Sequence, residues 1–292
     1  MSNGLINVLK PPGMTSHDVV SFIRRTYHLK RVGHAGTLDP AAAGVLPVAL
    51  GSATRLLEYM TDSDKGYRVE LTIGYETDTG DDTGTIINQA TCNMPEKIEI
   101  ERILTSFIGR IEQIPPMYSA IKIQGKKLYE LARAGITVER QPRTIIIHNI
   151  NLLYMDNTRI LFDVTCSKGT YIRSLCTDIG QKIKCPVVMS FLVRTHVGCF
   201  SLEKAFTLQE IEKDPQNAIL PLDYALQYMP KLVLTPEMAQ AFKYGQAIIN
   251  HTLKESNQSL LRIYEQESLF IGIGQKNTDT AVITPIKVIK LE

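Results

Sequence analysis

A loop of eight residues, from Gly33 to Pro40, carries the side chains that are best suited to chemistry. Its sequence, GHAGTLDP, places one carboxylate, that of Asp39, among two glycines, a histidine and a proline. Glycine permits left-handed backbone, and Pro40 fixes its own φ and moves Asp39 away from helical dihedrals. Asp39 is therefore either a reactive carboxylate held in one direction or the N-cap of a helix that begins at Pro40. These eight residues alone favour neither interpretation.

Two further stretches place polar side chains on predicted elements. Residues 65–73 alternate apolar and polar side chains, which predicts a strand with Tyr67 on its apolar face. Residues 167–170 form a predicted loop that leads into a helix starting near Tyr171, and this helix carries Arg173. The turn-rich sequence DTGDDTG at 78–84 lacks the ligand pattern of a calcium loop and predicts a solvated hairpin tip.

The composition is that of a globular protein with room for one large or two ordinary domains. The chain has 292 residues, of which 44% are hydrophobic and 21% charged. No apolar run approaches the ~20 residues of a membrane-spanning helix, and the N-terminus does not resemble a secretory signal. We therefore expect a cytoplasmic protein without a membrane partner.

The cysteines indicate a reducing environment. There are five, widely spaced and without a CxxC pair: Cys92, Cys166, Cys176, Cys185 and Cys199. This pattern predicts reduced thiols and argues against a structural zinc site.

Basic residues are concentrated in two segments, although the net charge is only +2. Residues 117–145 contain six basic and two acidic side chains, and residues 24–31 contain four basic and no acidic ones. Local basic patches on a near-neutral protein suit a phosphate backbone, but charge alone favours a solvated surface.

Several motifs, taken in order, resemble the TruB-type tRNA pseudouridine synthases, and the resemblance covers residues 4 to about 200. The motifs are KPPGMTS at 10–16, GHAGTLDPAAAGVLPVALGSATR at 33–55, KGYR at 65–68, QIPPMYSAIKIQGKKLYELARAG at 113–135, KGTYIRSL at 168–175 and the run at 192–198. A set of motifs in the family's order is more specific than any single one.

The resemblance implies catalytic roles for three residues. Asp39 matches the family's catalytic aspartate, and Arg173 matches the arginine that pairs with it, so the two are expected to meet. Tyr67 matches the active-site tyrosine, whose ring can stack on the flipped base and whose phenol can take part in removing the C5 proton. Whether the aspartate acts as a nucleophile or as an electrostatic stabiliser stays open.

The resemblance also implies substrate contacts. His34 matches the histidine that fills the space left by the flipped base, and Leu192 matches an apolar residue of the base pocket. The remaining predicted contacts with RNA are Lys10, Pro11, Gly36, Thr37, Tyr171, Lys122, Lys126, Lys127 and Arg133.

The family's fold and reaction complete the expectation. The fold is α+β, with a catalytic domain over residues 1–230 built on a mixed, mainly antiparallel sheet flanked by helices. An RNA-clasping insertion lies at about 110–145, and residues 231–292 form a small β-barrel of PUA type. The implied substrate is uridine 55 in the TΨC loop of tRNA, bound through the T-arm. Because nothing enters or leaves in the isomerisation, no cofactor or metal is expected, and we expect a monomer without a protein partner.

Two other classes of function fit parts of the sequence. Ser119 and Lys122 match the S-x-x-K pattern of serine acyl hydrolases, but a predicted strand over 117–123 would point them to opposite faces. A non-catalytic tRNA-binding or chaperone protein explains the basic segment equally well. Asp39, Tyr67 and Arg173 argue against it, because a binding protein does not need a reactive carboxylate.

Overall fold

The computed structural model describes residues 3–250, 259–277 and 280–290. The strands are β1 (Gly4–Lys10), β2 (Val32–His34), β3 (Ala43–Leu50), β4 (Lys65–Ile73), β5 (Tyr75–Thr77), β6 (Ile86–Gln89), β7 (Gly109–Gln113), β8 (Lys122–Ile123), β9 (Lys126–Lys127), β10 (Arg143–Met155), β11 (Arg159–Cys166), β12 (Val187–Val197), β13 (Phe200–Ser201), β14 (Lys231–Val233), β15 (Ile248–Ile249), β16 (Leu260–Tyr264), β17 (Phe270–Lys276) and β18 (Val282–Val288).

The α-helices are α1 (Ser16–Thr26), α2 (Leu57–Thr61), α3 (Lys97–Thr105), α4 (Leu128–Arg133), α5 (Ile172–Ile183), α6 (Leu208–Lys213) and α7 (Pro236–Lys243). Short 3₁₀ helices cover Gly51–Leu56, Leu202–Lys204 and Tyr224–Leu226. Within the described residues, no helix has the length and apolar character needed to cross a membrane.

A nine-stranded sheet forms the centre of the molecule. Its order is β1-β3-β12-β4-β11-β10-β7, with β2 paired to β3 and β13 paired to β12. The β3–β12 pairing is parallel, and the other pairings in this sheet are antiparallel. This topology confirms the predicted mixed, mainly antiparallel sheet, and it places β4 and β12 side by side in the middle.

Helices cover the sheet where its strands are apolar. The alternation of β4 buries Tyr67, Val69 and Leu71 completely or nearly so, while Arg68 between them is exposed. The buried face of β4 shares one core with side chains of α3 and α5. Because α5 packs on this face, its first turn lies close to the centre of the sheet, where Tyr67 is buried.

The C-terminal segment has its own sheet and core. Five strands lie in the order β14-β16-β17-β18-β15. Phe242 of α7 is fully buried in a cluster with apolar residues of these strands, including Ile263 and Ile283. The small C-terminal β domain is therefore present. The exact domain boundary at residue 230 stays a prediction.

The cysteines differ from expectation. Cys92 and Cys185 form a disulfide, and the prediction that all five thiols are reduced was wrong for this pair. Folding brings the segment after β6 against the turn between α5 and β12, so the two Cα atoms lie 6.1 Å apart despite a separation of 93 residues. Cys166, Cys176 and Cys199 are free.

The basic segment is less regular than predicted. The expected strand over 117–123 is reduced to Lys122 and Ile123, which pair with Lys126 and Lys127 in a two-stranded hairpin. The short basic helix follows as α4. The two turn residues, Gln124 and Gly125, both have positive φ. This explains why the chain reverses there instead of continuing as a strand.

Candidate active site

The loop that carries Asp39 connects β2 to β3 without a helix. The chain enters β3 at Ala43, so the interpretation of Asp39 as a helix N-cap is wrong. Ser16, at the start of α1, fixes the middle of the loop, because its Oγ accepts a hydrogen bond from Leu38 N at 2.9 Å and donates to Leu38 O at 3.2 Å. The aspartate therefore projects from a loop whose backbone is tied to the first helix.

A buried lysine lies beneath the same loop. The Nζ of Lys10 donates to the carbonyl oxygens of Pro11 (2.9 Å), Pro40 (3.2 Å) and Ala42 (2.6 Å). The side chain is fully buried, which lowers the pKa of Lys10 to about 8, although the nearby Asp39 carboxylate acts in the opposite direction. The structure thus places Lys10 and Pro11 beside the site, where Lys10 supports the loop instead of facing solvent.

Arg194 is a buried residue of the site to which the sequence assigned no role. Its guanidinium donates to Val45 O (2.8 Å), Gly36 O (3.1 Å) and Thr37 O (3.4 Å), and the residue is 1% exposed. Gly36 has a φ of +99°, a conformation in which glycine is favoured. Gly36 and Thr37, predicted to contact RNA, therefore direct their carbonyls toward the protein. The feature of the sequence that could have indicated a role for Arg194 was its place in the motif at 192–198.

Asp39 and Arg173 form an ion pair, which confirms the predicted contact. Arg173 Nε lies 3.0 Å from Asp39 Oδ2, with side chains that are 7% and 39% exposed. Arg173 also donates to Thr79 O at 2.9 Å and Tyr118 O at 2.7 Å. Three directions of the guanidinium are thus occupied, which fixes its plane. The aspartate keeps access to solvent, so a substrate can reach it.

The turn at 78–84 was predicted to be a solvated hairpin tip, and this was wrong for Asp81, although Asp78, Asp82 and Thr83 are exposed. It does join β5 to β6, but Asp81 within it is 8% exposed and lies 3.8 Å from Arg173 Nε. Asp81 Oδ1 accepts hydrogen bonds from Thr79 Oγ1 (2.8 Å) and from Thr83 N (3.1 Å). Gly80 O accepts from Met189 N of β12. The turn is therefore part of the wall around the guanidinium.

Tyr67 lies on β4 in register with Arg194 on β12. It is 8% exposed, and burial raises its pKa, while the adjacent Arg194 charge opposes the shift. Leu192, two residues before Arg194, pairs with Val69 and is also nearly buried. The two strands thus place a neutral phenol and an apolar side chain in one cluster with Leu38 of the loop.

His34 ends β2, at the start of the loop. Its Nδ1 is buried and has no hydrogen-bond partner in the described structure. Burial lowers the pKa of His34, and the Arg194 charge adds to this effect. The structure therefore places a neutral imidazole at the start of the loop.

The predicted basic contacts lie on the surface. Lys122, Lys126 and Arg133 are exposed. Lys127 Nζ donates to Tyr129 Oη at 3.1 Å, and both Lys127 and Arg133 lie over the Tyr129 ring, at 5.3 and 5.4 Å from its centroid. This aromatic ring keeps together the cation that precedes α4 and the cation that ends it, which suits a phosphate backbone.

Tyr171 precedes α5, and its backbone is bound by a buried glutamine, Gln113. Sequence reasoning did not single out Gln113, although it opens the motif at 113–135.

The structure gives no support to the serine hydrolase alternative. Ser119 Oγ is buried without a hydrogen-bond partner, whereas Lys122 is exposed. Within the described residues, no group of three or more His, Cys, Asp or Glu side chains is placed to hold a metal ion.

Family models match three consecutive parts of the chain. Residues 24–172 match the N-terminal domain of TruB family pseudouridylate synthases, and residues 173–227 match the C-terminal domain of tRNA pseudouridylate synthase B. Residues 230–289 match the C-terminal model of pseudouridine synthase II TruB.

Individual proteins resemble the chain over nearly its whole length. It is 45% identical to the tRNA pseudouridine synthase B of Alkaliphilus oremlandii, covering 99% of this chain and 98% of that protein. It is 46% identical to the enzyme of the same name from Caldanaerobacter subterraneus, covering 93% and 94%. A chain in a solved H/ACA RNP bound to a substrate RNA containing 2'-deoxyuridine aligns with a TM-score of 0.75 and 25% identity, over 99% of this chain and 85% of that one. The protein therefore belongs to the TruB family of pseudouridine synthases.

Proposed function

We propose that this pseudouridine synthase acts on tRNA and converts uridine 55 in the TΨC loop to pseudouridine. The two relatives from Alkaliphilus oremlandii and Caldanaerobacter subterraneus are named for activity on tRNA, and they align over almost their full length. The observation that carries the proposal is the pair formed by Asp39 and Arg173. It presents an oriented, solvent-accessible carboxylate beside a buried phenol.

The reaction is an isomerisation in which no atoms or electrons are gained or lost. The C1′–N1 bond breaks, the base rotates, and C1′ bonds to C5. The proton on C5 leaves, and N1 ends with a proton. Asp39 either attacks the substrate or stabilises positive charge that develops on the sugar. No step requires an external electron acceptor, so we propose that no cofactor takes part.

Each surrounding residue has a role in this proposal. Arg173 aims the Asp39 carboxylate, since a guanidinium donates hydrogen bonds in a fixed plane. Tyr67 stacks on the flipped base. Its raised pKa keeps the phenol neutral, so a direct role in C5 deprotonation would need a further proton acceptor. Leu192 lines the base pocket.

Base flipping gives His34 a role. A uridine in a folded tRNA loop is stacked and must leave the stack to reach Asp39. We propose that His34 occupies the space that the base vacates. The exposed residues Lys122, Lys126 and Arg133, together with the half-buried Lys127, hold the phosphate backbone of the T-arm.

The chain is divided into two domains. Residues 1–230 form the catalytic domain, with the RNA-clasping insertion at about 110–145, and residues 231–292 form a PUA-like RNA-binding domain. The protein acts as a cytoplasmic monomer without a protein partner. Size-exclusion chromatography with light scattering checks the oligomeric state.

The test uses Asp39→Asn and an unmodified tRNA transcript. Asparagine keeps the size of the side chain but cannot act as an ionised carboxylate, so pseudouridine formation should be abolished while tRNA binding persists. The product is mapped by chemical labelling and primer extension, and binding is measured by filter retention. Product at another position would overturn the assignment to uridine 55. Full product formation by the variant would overturn the role of Asp39. If the wild type forms no product, the alternative of a non-catalytic tRNA-binding protein would be favoured instead.

A further inference from the structure

The basic insertion leaves and rejoins the central sheet at one pair of residues. β7 ends at Gln113, and β10 begins at Arg143, which is the register partner of Gln113. The exposed basic side chains, Lys122 and Lys126 among them, lie between these two positions. Gln113 itself is 2% exposed, so its amide is buried where the insertion joins the sheet.

The buried amide binds the residue that precedes α5. Tyr171 N donates to Gln113 Oε1 at 2.8 Å, and Gln113 Nε2 donates to Tyr171 O at 3.1 Å. Tyr171 is the N-cap residue of α5, and its own side chain makes no capping bond. Because a helix start lacks internal partners for its first N–H groups, outside contacts decide where the first turn lies. Here the outside contact comes from Gln113.

Arg173 lies two residues beyond this contact, in the first turn of α5. Two more hydrogen bonds join the same turn to the root of the insertion. Arg173 Nη2 donates to Tyr118 O at 2.7 Å, and Ser174 Oγ donates to Ile114 O at 3.0 Å. The start of α5 and the beginning of the insertion therefore form one hydrogen-bonded unit that ends at the Asp39–Arg173 ion pair.

We propose that Gln113 is a positioning residue, which acts through Tyr171 to place the Arg173 guanidinium against Asp39. This role rests on the proposed function, since it concerns the same ion pair in the same reaction. Gln113 does not touch the substrate. Its loss should therefore slow the chemical step of bound tRNA and leave tRNA affinity unchanged, because the exposed basic side chains are untouched.

The experiment compares three variants with the wild type. Gln113→Met keeps the length of the side chain and removes both hydrogen bonds. Gln113→Glu keeps the acceptor for Tyr171 N and removes the donor to Tyr171 O. Gln181→Met makes the same chemical change on the exposed surface of α5, where the glutamine side chain has no described hydrogen bond, and it serves as the matched control.

Two quantities are measured, the single-turnover rate constant at saturating enzyme and the Kd for tRNA. A misplacement of about 1 Å at a reacting group costs roughly 100-fold in rate, so we expect Gln113→Met to be slower by roughly 10- to 100-fold with an unchanged Kd. Gln113→Glu should also be slower than the wild type with an unchanged Kd, because its buried carboxylate would face Tyr171 O, and Gln181→Met should match the wild type.

The proposal is overturned if Gln113→Met folds and retains the wild-type rate constant, or if its Kd rises while the rate constant stays the same. Circular dichroism and thermal unfolding report folding, and rates are expressed per tRNA-bound enzyme. If Gln113→Met does not fold, Gln113→Glu decides by the same criteria. Failure of both variants to fold would assign Gln113 to stability alone. An inactive wild type would instead count against the proposed function, which keeps the two failures distinct.

Discussion

Replacing Arg173 with lysine removes the three donors of its guanidinium, one of which contacts Asp39. Lysine places a methylene where arginine has Nε, and Nε is the atom that lies 3.0 Å from Asp39 Oδ2. The lysine amine would occupy the position of the guanidinium carbon. Since a C–N bond there is about 1.33 Å long, its distances to Thr79 O and Tyr118 O would grow from 2.9 and 2.7 Å to about 4 Å. All three contacts are then lost at once.

The size of the effect follows from these losses. Two carbonyl oxygens in a mostly buried site would lack their partners, at ~1–3 kcal/mol each, so the free energy of unfolding should fall by about 2–6 kcal/mol. Asp39 would no longer be aimed at the substrate, and the rate constant should fall by roughly 100- to 1,000-fold. tRNA affinity should not change.

A single-turnover assay measures the rate constant, using a tRNA transcript tritiated at C5 of uridine, because the isomerisation releases that hydrogen. Chemical denaturation measures stability. The matched control is Arg68→Lys on β4. Arg68 makes two hydrogen bonds to Asp163, at 2.9 and 2.8 Å, but these side chains are 48% and 37% exposed. Its loss should cost under ~1 kcal/mol without changing the rate. Wild-type activity in Arg173→Lys, or an equal loss in Arg68→Lys, would refute this reasoning.

Two further predictions concern RNA binding and stability. Neutralising Lys126 and Lys127 together should weaken tRNA binding and reduce the slope of log K against log salt by roughly one per lysine, with little effect on the rate once tRNA is bound. An unchanged slope, measured by filter binding across a salt series, would remove these residues from the interface. Reducing the disulfide between Cys92 and Cys185 should lower the melting temperature of the oxidised protein, since closing a loop of this length stabilises by up to about 4–5 kcal/mol. Calorimetry with and without reductant checks this, and Cys185→Ser should be insensitive to reductant; equal melting temperatures for the wild type would contradict the prediction.

Much of the fold was predictable because its strands follow simple patterns. Alternation along β4 correctly assigned Tyr67 to the buried face, and the motif order indicated a mixed, mainly antiparallel sheet. Irregular segments were less predictable. The chain after Asp39 could equally begin a helix or enter a strand, and only the pairing of β3 with β1 and β12 decides for the strand.

The candidate site was predictable where one side chain pairs with another side chain. A carboxylate and a guanidinium attract each other strongly in a partly buried site, and resemblance to the family was enough to pair Asp39 with Arg173. The two residues lie far apart in the sequence, so composition and spacing did not reveal the pair without that resemblance.

The rest was decided by tertiary structure, chiefly because the acceptors are backbone carbonyls. Arg194 binds Gly36 O, and Gln113 binds the backbone of Tyr171; no residue type in the sequence marks a carbonyl as the partner of a distant side chain. Asp81 was misjudged for a related reason, since a turn rich in aspartate and glycine is usually solvated and only packing against α5 buries this one. The sequence by itself determined which groups are present and which elements carry them. The tertiary structure decided which backbone oxygens surround those groups, and therefore in which direction the Asp39–Arg173 pair points.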